Sequence, residues 1–370
     1  MCFDDHSYSA SNHFIQDLKE NDPKLDSLLA RARNDDGDAL FAGSLVLLGG
    51  FELAPIDEVE ATEWLRRGAL LKHPACAVAY ALQLHAGCGV GKRRDADRFV
   101  ILGKKWLLDG NRDETNASAL MLRATVEEEG LGGFRRSRLN AERLFAAAAE
   151  MGDPFGQFRV SQQFENESRR NDGNQEKARI AFRWARFSAE QGFASAQRIL
   201  SIYLQNGFGT EPDAEASVEW LFKAARQHHP VAALEAGYWC RTQSTKAEPD
   251  SEEADRLLKE MIDWYGIAAR SGLPMADIAI AYCHETGLGV EQNKALAYSL
   301  YHAVAHRDGR SFRTRLPDKE GMHHVRRRMS ALRAEADTDR AGSQSRLAWG
   351  EDELIITESR NPSPIRAGRR

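Results

Sequence analysis

Apolar residues recur along most of this chain with the spacing of amphipathic helices, and no stretch shows the period-two alternation and β-branched enrichment of a strand. The prolines respect this pattern. Pro74, Pro154, Pro230 and Pro274 each precede a helix-like run, and none of the eleven prolines falls inside one. Because proline is tolerated in the first turn of a helix but costs about 3 kcal/mol or more inside it, the chain is predicted to be all-α.

Small residues recur in pairs at a regular interval. The two members of a pair are five positions apart, which on a helix turns them to opposite flanks. A helix with a small residue on each flank is pressed closely by two neighbours, as the first helix of each unit in a stacked array would be. The pairs are Ala39/Ser44, Cys76/Ala81, Ala119/Ala124, Gly156/Ser161, Ala196/Ser201, Ala232/Gly237 and Ala276/Ala281, and successive pairs begin 36 to 44 residues apart. A period of this length indicates a solenoid of helix pairs.

A large residue marks the second helix of each unit. Four positions after it comes a mostly small pair, so the large residue and the first small one share a helix face. The large residues are Trp64, Phe99, Leu144, Trp184, Trp220, Trp264 and Tyr298. Gly-x-Gly recurs in the same period, at Gly87/Gly89, Gly207/Gly209 and Gly287/Gly289.

Two stretches carry the full pattern: ADIAIAYCHETGLGVEQNKALAYSLYHAVA at 276–305 and SAQRILSIYLQNGFGTEPDAEASVEWLFKAARQHH at 195–229. They resemble the Sel-one-like repeat family, a branch of the tetratricopeptide superfamily. The resemblance implies a right-handed α-solenoid of about seven helix-turn-helix repeats with terminal capping helices. The predicted solenoid covers residues 38–308, in units of about 38–74, 75–113, 114–152, 153–192, 193–229, 230–272 and 273–308. Units 4 and 6 lack the loop glycines, and the second helix of unit 6 is longer by over a turn.

Polar segments are predicted to flank the repeats, because a solenoid needs polar caps. Residues 1–37 are expected to form a polar segment with a capping helix at Pro23–Arg33, and residues 309–336 a C-terminal capping helix. Residues 337–370 are rich in Gly, Ser, Pro and Arg, and we expect a disordered basic tail there.

Composition and charge exclude some classes of protein and leave one question open. With 42% hydrophobic and 28% charged residues the chain is ordinary for a soluble protein, and five cysteines are too sparse for a disulfide scaffold. The net charge of −5 argues against a dedicated nucleic-acid coat, yet residues 310–370 hold 14 basic and 9 acidic groups. Arg326, Arg327 and Arg328 therefore admit two interpretations: a solvated helix face, or a contact with nucleic acid or an acidic partner.

No motif of catalytic or metal chemistry accompanies the repeats. The sequence contains neither Cys-x-x-Cys nor His-Glu-x-x-His, and Cys76, Cys240 and Cys283 fall where small buried residues are wanted. We therefore expect no catalytic residue, no metal and no cofactor, and a protein that is not an enzyme. No window approaches 18 consecutive apolar residues and the N-terminus is acidic, so we expect no membrane insertion and a cytoplasmic protein. Separately, we expect a bacterial source.

The resemblance implies a scaffold or adaptor that binds a segment of a partner protein in a concave groove lined by the first helices. Mapping the groove pattern of the superfamily onto this register gives Phe158, Gln162, Glu165, Arg198, Ile202, Gln205, Leu234, Tyr238, Arg241, Ile278, Tyr282 and Glu285. Apolar anchors beside amide and charged groups suit an extended peptide or a helix. Two alternatives stay open: several of these residues are inter-helix contacts only, or the protein acts on nucleic acid or an acidic partner through its basic C-terminal end.

Overall fold

The computed structural model describes residues 22–87, 92–109, 117–170, 174–306 and 319–342. Within these ranges the chain forms sixteen α-helices and no strand, which confirms the predicted all-α solenoid of helix pairs. None of the helices in the described ranges combines the length and the apolar character that crossing a membrane requires.

A single helix, α1 (Asp22–Arg33), precedes the helix pairs, and α16 (Lys319–Gly342) follows them. The seven pairs between them are α2 (Gly37–Gly49) and α3 (Glu58–Leu70); α4 (Pro74–Ala86) and α5 (Ala96–Asp109); α6 (Ala117–Glu129) and α7 (Arg138–Glu150); α8 (Pro154–Arg170) and α9 (Gln175–Glu190); α10 (Ala194–Asn206) and α11 (Ala214–Arg226); α12 (Pro230–Ser244) and α13 (Glu252–Arg270); α14 (Pro274–Thr286) and α15 (Lys294–Ala305).

Two of the flanking predictions can be compared with these bounds. Helix α1 spans the stretch expected to cap the N-terminus, and α16 begins at Lys319, inside the range 309–336 expected to form the C-terminal cap. Helix α16 continues to Gly342, past the position where the disordered tail was expected to begin. Residues 1–21, 309–318 and 343–370, which carry the rest of the two terminal predictions, lie outside the described residues.

The chain divides into two compact units, the first ending at Trp239 and the second beginning at Cys240, within α12. Through most of the array each helix packs mainly on the helices that precede and follow it. This pattern of contacts between neighbours is the one expected of stacked repeats.

Helix starts follow from the residues placed there. Six of the seven second helices begin after a side chain that accepts a hydrogen bond from a backbone N–H of the first turn, which replaces a bond that the helix itself cannot make. These capping residues are Asp57, Ser137, Asn174, Asp213, Ser251 and Asn293. The four prolines named above each stand at the first residue of a first helix, where no N–H is needed.

The paired small residues of the first helices are buried in all seven pairs. The burial of both members of each pair confirms the prediction that neighbours pack closely on two flanks of each first helix. Ala196, for example, is 0% exposed. The second-helix markers differ: Trp64 and Leu144 are buried, whereas the five others keep partial exposure.

Two turn glycines explain why Gly-x-Gly recurs. Gly209 and Gly289 have φ values of 71° and 70°, in the left-handed region that glycine adopts without a steric penalty. Each also lies against the backbone of the second helix of the preceding pair. A Cβ on Gly289 would stand 2.9 Å from the carbonyl oxygen of Leu258, and one on Gly209 would collide with that of Ala178.

Candidate functional site

The twelve residues predicted to line the groove lie on the first helices α8, α10, α12 and α14. Eleven of them are half-buried or exposed. Leu234 is 7% exposed and belongs to the core, so it is not open to a partner and the prediction is wrong for this residue. Ala232, Ala233 and Leu234 are all buried, and three consecutive helical residues span about 200° of the helix circumference, so α12 is enclosed on more than one side.

On α8, Phe158 faces an aromatic cluster inside the first unit. Its ring meets that of Phe193 edge-on, with 5.4 Å between centroids. Gln162, one turn later, is half-buried. Phe158 is therefore partly an inter-helix contact, in line with the alternative left open by the sequence.

Glu165, the third predicted residue of α8, has two partners. The Tyr203 hydroxyl donates to Glu165 Oε2 over 3.0 Å, and Arg169 donates to Oε1 over 2.8 Å. Burial raises the pKa of Tyr203, so the phenol stays protonated and remains a donor. The carboxylate of Glu165 thus pairs with the charge of Arg169 and accepts a hydrogen bond from Tyr203, both within the chain.

On α10, Arg198 forms a two-point ion pair with Glu235 of α12. This pair links the first helices of two consecutive repeats inside the first unit. Ile202 is half-buried and Gln205 is exposed. Tyr238 on α12 is 37% exposed, unusual for so large a side chain on a first helix.

The second unit shows how the later groove residues are arranged. The Arg241 guanidinium lies over the ring of Tyr282, 4.7 Å from its centroid, which is a cation–π contact. Ile278 packs against the cluster formed by Tyr301, Val325 and Leu332.

Glu285 accepts hydrogen bonds from the Tyr301 hydroxyl at 3.1 Å and from Arg328 Nε at 2.9 Å. Burial is the main cause that raises the pKa of Tyr301, with the charge of Glu285 second. Arg328 belongs to α16, so the C-terminal helix holds this predicted groove residue. We take Ile278 and Glu285 as contacts that anchor α16.

A cavity of about 330 Å³ opens beside Ile202 and was missed by the sequence analysis. Tyr203, Phe208 and Arg169 line it, together with the turn at 207–209. The Tyr203 and Phe208 rings lie 4.7 Å apart between centroids, and the Arg169 guanidinium stands 5.8 Å from the Phe208 centroid. The Gly-x-Gly register could have located the turn, but it could not have shown that α8 lines the same cavity.

The three described cysteines are poor nucleophiles. Cys76, Cys240 and Cys283 are buried, and burial raises the pKa of Cys76 to about 12 and those of Cys240 and Cys283 to about 11. At neutral pH they remain thiols packed in the core, as expected for small buried residues. Cys88, which follows α4 in the sequence, lies outside the described residues.

Comparison with known proteins decides the family. The family model for the Sel1 repeat matches residues 39–73, 117–153, 171–193, 194–229 and 274–307. The chain is a Sel1 repeat protein. The five matches leave out most of the predicted units 2 and 6, where helices α4, α5, α12 and α13 nevertheless form. In unit 6 the helix α13 has 19 residues, longer than the other second helices, which explains the departure from the family pattern.

Two curated relatives of this Sel1 repeat protein are fungal. Chitin synthase regulatory factor 3 of Schizosaccharomyces pombe is 26% identical over 288 residues, which is 75% of this chain and 29% of the relative. Chitin synthase regulator SKT5 of Saccharomyces cerevisiae is 26% identical over 166 residues, which is 42% of this chain and 23% of the relative. The chain thus spans less than a third of the length of either, and these relatives do not support the expected bacterial source.

Two solved structures are also similar to this Sel1 repeat protein. A Sel1 repeat protein from Oxalobacter formigenes has 21% identity and a TM-score of 0.46, over 81% of this chain and 83% of that one. A protective antigen of uropathogenic Escherichia coli with an SLR fold has 17% identity and a TM-score of 0.24, over 88% and 91%.

Proposed function

We propose that this Sel1 repeat protein is a non-catalytic scaffold whose first helices bind a segment of a partner protein. The observation that carries the proposal is the exposure of Tyr238, a large aromatic side chain on a first helix, outside the core. Tyrosine is enriched at binding hot spots because it offers a large, rigid surface with a polar tip.

The state of the charged groups indicates what kind of segment fits. Glu165, Arg198 and Glu285 each have a partner of opposite charge within this chain. A partner that relied on these charges would have to break existing ion pairs. Gln162, Ile202 and Gln205 keep partial or full exposure, and amide groups suit the backbone of an extended peptide. We therefore infer an extended segment with apolar anchors, held in the first unit mainly by Tyr238 and by these amides.

The curated relatives support the class of function. Both are named as regulators of an enzyme, and a regulator that acts by binding is what a repeat scaffold provides. We do not carry over the chitin synthase of their names, because this chain spans less than a third of either relative.

Paired variants test the proposal. Affinity capture with the wild-type chain identifies a partner, and Tyr238→Ala combined with Tyr282→Ala should then weaken capture by about 2 kcal/mol or more. Helicity should be retained, because Tyr238 is exposed and Tyr282 half-buried. The matched control is Ile101→Ala with Leu139→Ala, which removes exposed apolar side chains from second helices and should leave capture unchanged. Unchanged capture by the double tyrosine variant would refute the groove.

The C-terminal helix favours a second candidate function. One face of α16 is buried through Val325 and Leu332, and Arg328 donates a hydrogen bond to Glu285. Arg326 and Arg327 remain exposed on the other side. A basic face fixed to the last repeat suits an acidic partner or nucleic acid.

Charge reversal separates this candidate from the groove. Arg326→Glu with Arg327→Glu leaves the buried face of α16 intact, unlike a truncation. If α16 is the binding site, this variant should lose capture, and capture by the wild type should fall steeply with added salt. If the groove is the site, the variant should capture the partner as the wild type does.

A further inference from the structure

One segment of the first repeat lies against repeats far along the chain. Residues 50–56, which follow α2 and are called the latch segment here, contact α8, α10 and the end of α11. Gly50 forms an isolated antiparallel bridge with Phe193. The backbone N–H of Ile56 donates to the Gln227 carbonyl oxygen over 2.8 Å. These contacts join residues more than 100 positions apart, whereas a stacked repeat normally touches only its neighbours.

An aromatic pocket receives the latch segment. Phe51 is 1% exposed, although it belongs to a connecting segment. Its ring stacks on Phe193, with 5.7 Å between centroids, and meets Phe155 edge-on at 5.9 Å. Phe155 and Phe193 are themselves 4.6 Å apart between centroids. Phe51 therefore fills a pocket that belongs to the fourth and fifth repeats and not to its own.

Two glutamines recognise the backbone and the acidic side chain beside Phe51. Gln227 Oε1 accepts from the Glu52 backbone N–H over 2.6 Å, and Gln197 Nε2 donates to Glu52 Oε1 over 2.7 Å. Gln227 Nε2 donates to Gln197 Oε1 over 2.6 Å, which fixes both amides in the orientation that the latch segment needs. Both glutamines are buried. Buried amides held ready for a backbone N–H and a carboxylate are the groups that recognise a peptide.

The backbone of the latch segment is strained in its bound position. Phe51 and Glu52 have φ values of 51° and 61°, and two successive residues other than glycine in the left-handed region are uncommon. Such backbone persists only where surrounding contacts over-determine it, and it clusters at clamps and switches. Glu52 is exposed, so Phe51 is the residue of this pair that is enclosed. The segment is held by the Phe51 ring, by Leu53, which is partly buried against the same aromatic cluster, and by a few hydrogen bonds. A contact set of this size can be released as a unit while helices α2 and α3 stay in place.

We propose that the pocket formed by Phe155, Phe193, Gln197 and Gln227 is a peptide-binding site for an aromatic residue followed by an acidic one. The chain's own latch segment is its resident occupant, and a partner protein that carries such a segment displaces it. This site is separate from the groove proposed above, apart from Phe158, which borders both. Its function would stand even if the groove proved to bind nothing.

A peptide added in trans tests the proposal. The probe is a fluorescent peptide of residues 48–58, LGGFELAPIDE, and its binding to the full chain is measured by fluorescence anisotropy. Glu52→Pro in the protein unseats the latch segment, because proline fixes φ near −65° and cannot adopt a φ of 61°. The Pro variant should bind the peptide at least tenfold more tightly than the wild type, whose site is filled.

Matched changes show whether the pocket is responsible. Replacing phenylalanine by alanine in the peptide should abolish binding to the Glu52→Pro variant. Adding Phe155→Ala to that variant should weaken binding at least fivefold, whereas adding Phe134→Ala, a half-buried phenylalanine outside the pocket, should not. The proposal is overturned if the wild type binds as tightly as the Pro variant, if neither binds, or if the alanine peptide binds equally well.

Hydrogen exchange keeps the proposal testable if Glu52→Pro fails to fold. In the wild type the amides of Glu52 and Ile56 should exchange at least tenfold faster than those in the middle of α10, because the latch segment opens locally. Exchange of these amides only at the rate of global unfolding would mean that the segment is a fixed part of the fold and would refute its displacement.

Discussion

Arg198 and Glu235 join the first helices of two consecutive repeats through both nitrogen–oxygen contacts of a guanidinium–carboxylate pair, with Arg198 Nε donating to Glu235 Oε2 over 2.8 Å. The two side chains are partly buried, so solvent screens the pair less than it screens an exposed one. The pair also explains why Arg198, which the sequence placed in the groove, is not a free cation. A two-point contact fixes the spacing of α10 and α12 more closely than a single bond would.

Arg198→Lys should lower the free energy of unfolding by about 0.5–1 kcal/mol, because lysine keeps the charge but cannot form the planar two-point contact. Urea unfolding followed by circular dichroism measures the change. Arg186→Lys is the control, since Arg186 pairs with Glu190 on the exposed surface of one helix. Equal effects of the two variants would show that the burial and geometry of the Arg198 pair contribute nothing.

Lowering the pH should destabilise the protein through His229. This residue caps α12 by accepting from the Ala232 backbone N–H over 3.2 Å, and burial, assisted by the Arg198 charge, lowers its pKa from 6.5 to about 4. Between pH 6.5 and pH 4 the unfolded chain therefore binds a proton at His229 that the folded chain does not bind. The stabilisation is complete above pH 6.5 and is lost as the pH falls towards 4.

His229→Asn keeps a capping side chain and removes the titration. Between pH 7 and pH 5 the wild type should lose about 1–2 kcal/mol of stability relative to this variant, a range reduced because His229 keeps partial exposure. Denaturant unfolding at the two pH values measures the difference. Asp153, the cap of α8, affects stability in the opposite direction. Burial raises its pKa to about 6, so folding takes up a proton at Asp153 between pH 6 and pH 4, and lowering the pH stabilises the protein through this residue. Parallel pH profiles of the wild type and His229→Asn would contradict the assignment.

Ala196→Leu should destabilise the first unit by about 1–3 kcal/mol, because it forces three extra carbons into a site that is fully buried. Thermal unfolding measures the effect. Ala214→Leu makes the same change at an exposed position, the first residue of α11, and should alter the melting temperature little. Similar melting temperatures for the wild type and Ala196→Leu would remove the evidence for tight packing at this position.

Gly209→Ala should cost about 2 kcal/mol or more, since the new Cβ adopts a positive φ and also meets the Ala178 backbone. Gly133→Ala is matched in φ, at 75°, but the nearest atom to its Cβ is the tip of Lys104 at 3.7 Å. It should cost only about 1 kcal/mol. The difference between the two unfolding free energies isolates the close approach of the turn to α9.

The helix pairs could be predicted from the sequence because their determinants are local. Proline at a helix start, a small residue on each flank and glycine in the turn act within a dozen residues. The same reasoning placed Leu234 in the groove, because register gives the helix face but not the depth of each side chain. The pairing of Glu285 with Arg328 depends on how α16 docks, and no short pattern encodes that.

The latch segment could not be predicted at all. Gly-Gly-Phe-Glu at 49–52 carries no motif, and its partners Phe193 and Gln227 lie in repeats that the sequence alone does not bring near the first. The left-handed backbone of Phe51 and Glu52 goes against the preference of both residues. Local propensity fails here because contacts with distant repeats decide the conformation.

The bridge between Gly50 and Phe193 has a consequence for how the first unit folds. An array with contacts between neighbours only can begin to fold at any repeat and lose its end repeats one at a time. Tying the first repeat to the fifth adds contacts of very large sequence separation, so the repeats between them must be in place before those contacts form. Folding of this unit should accordingly be slower and more nearly all-or-none than that of an untied array of equal length.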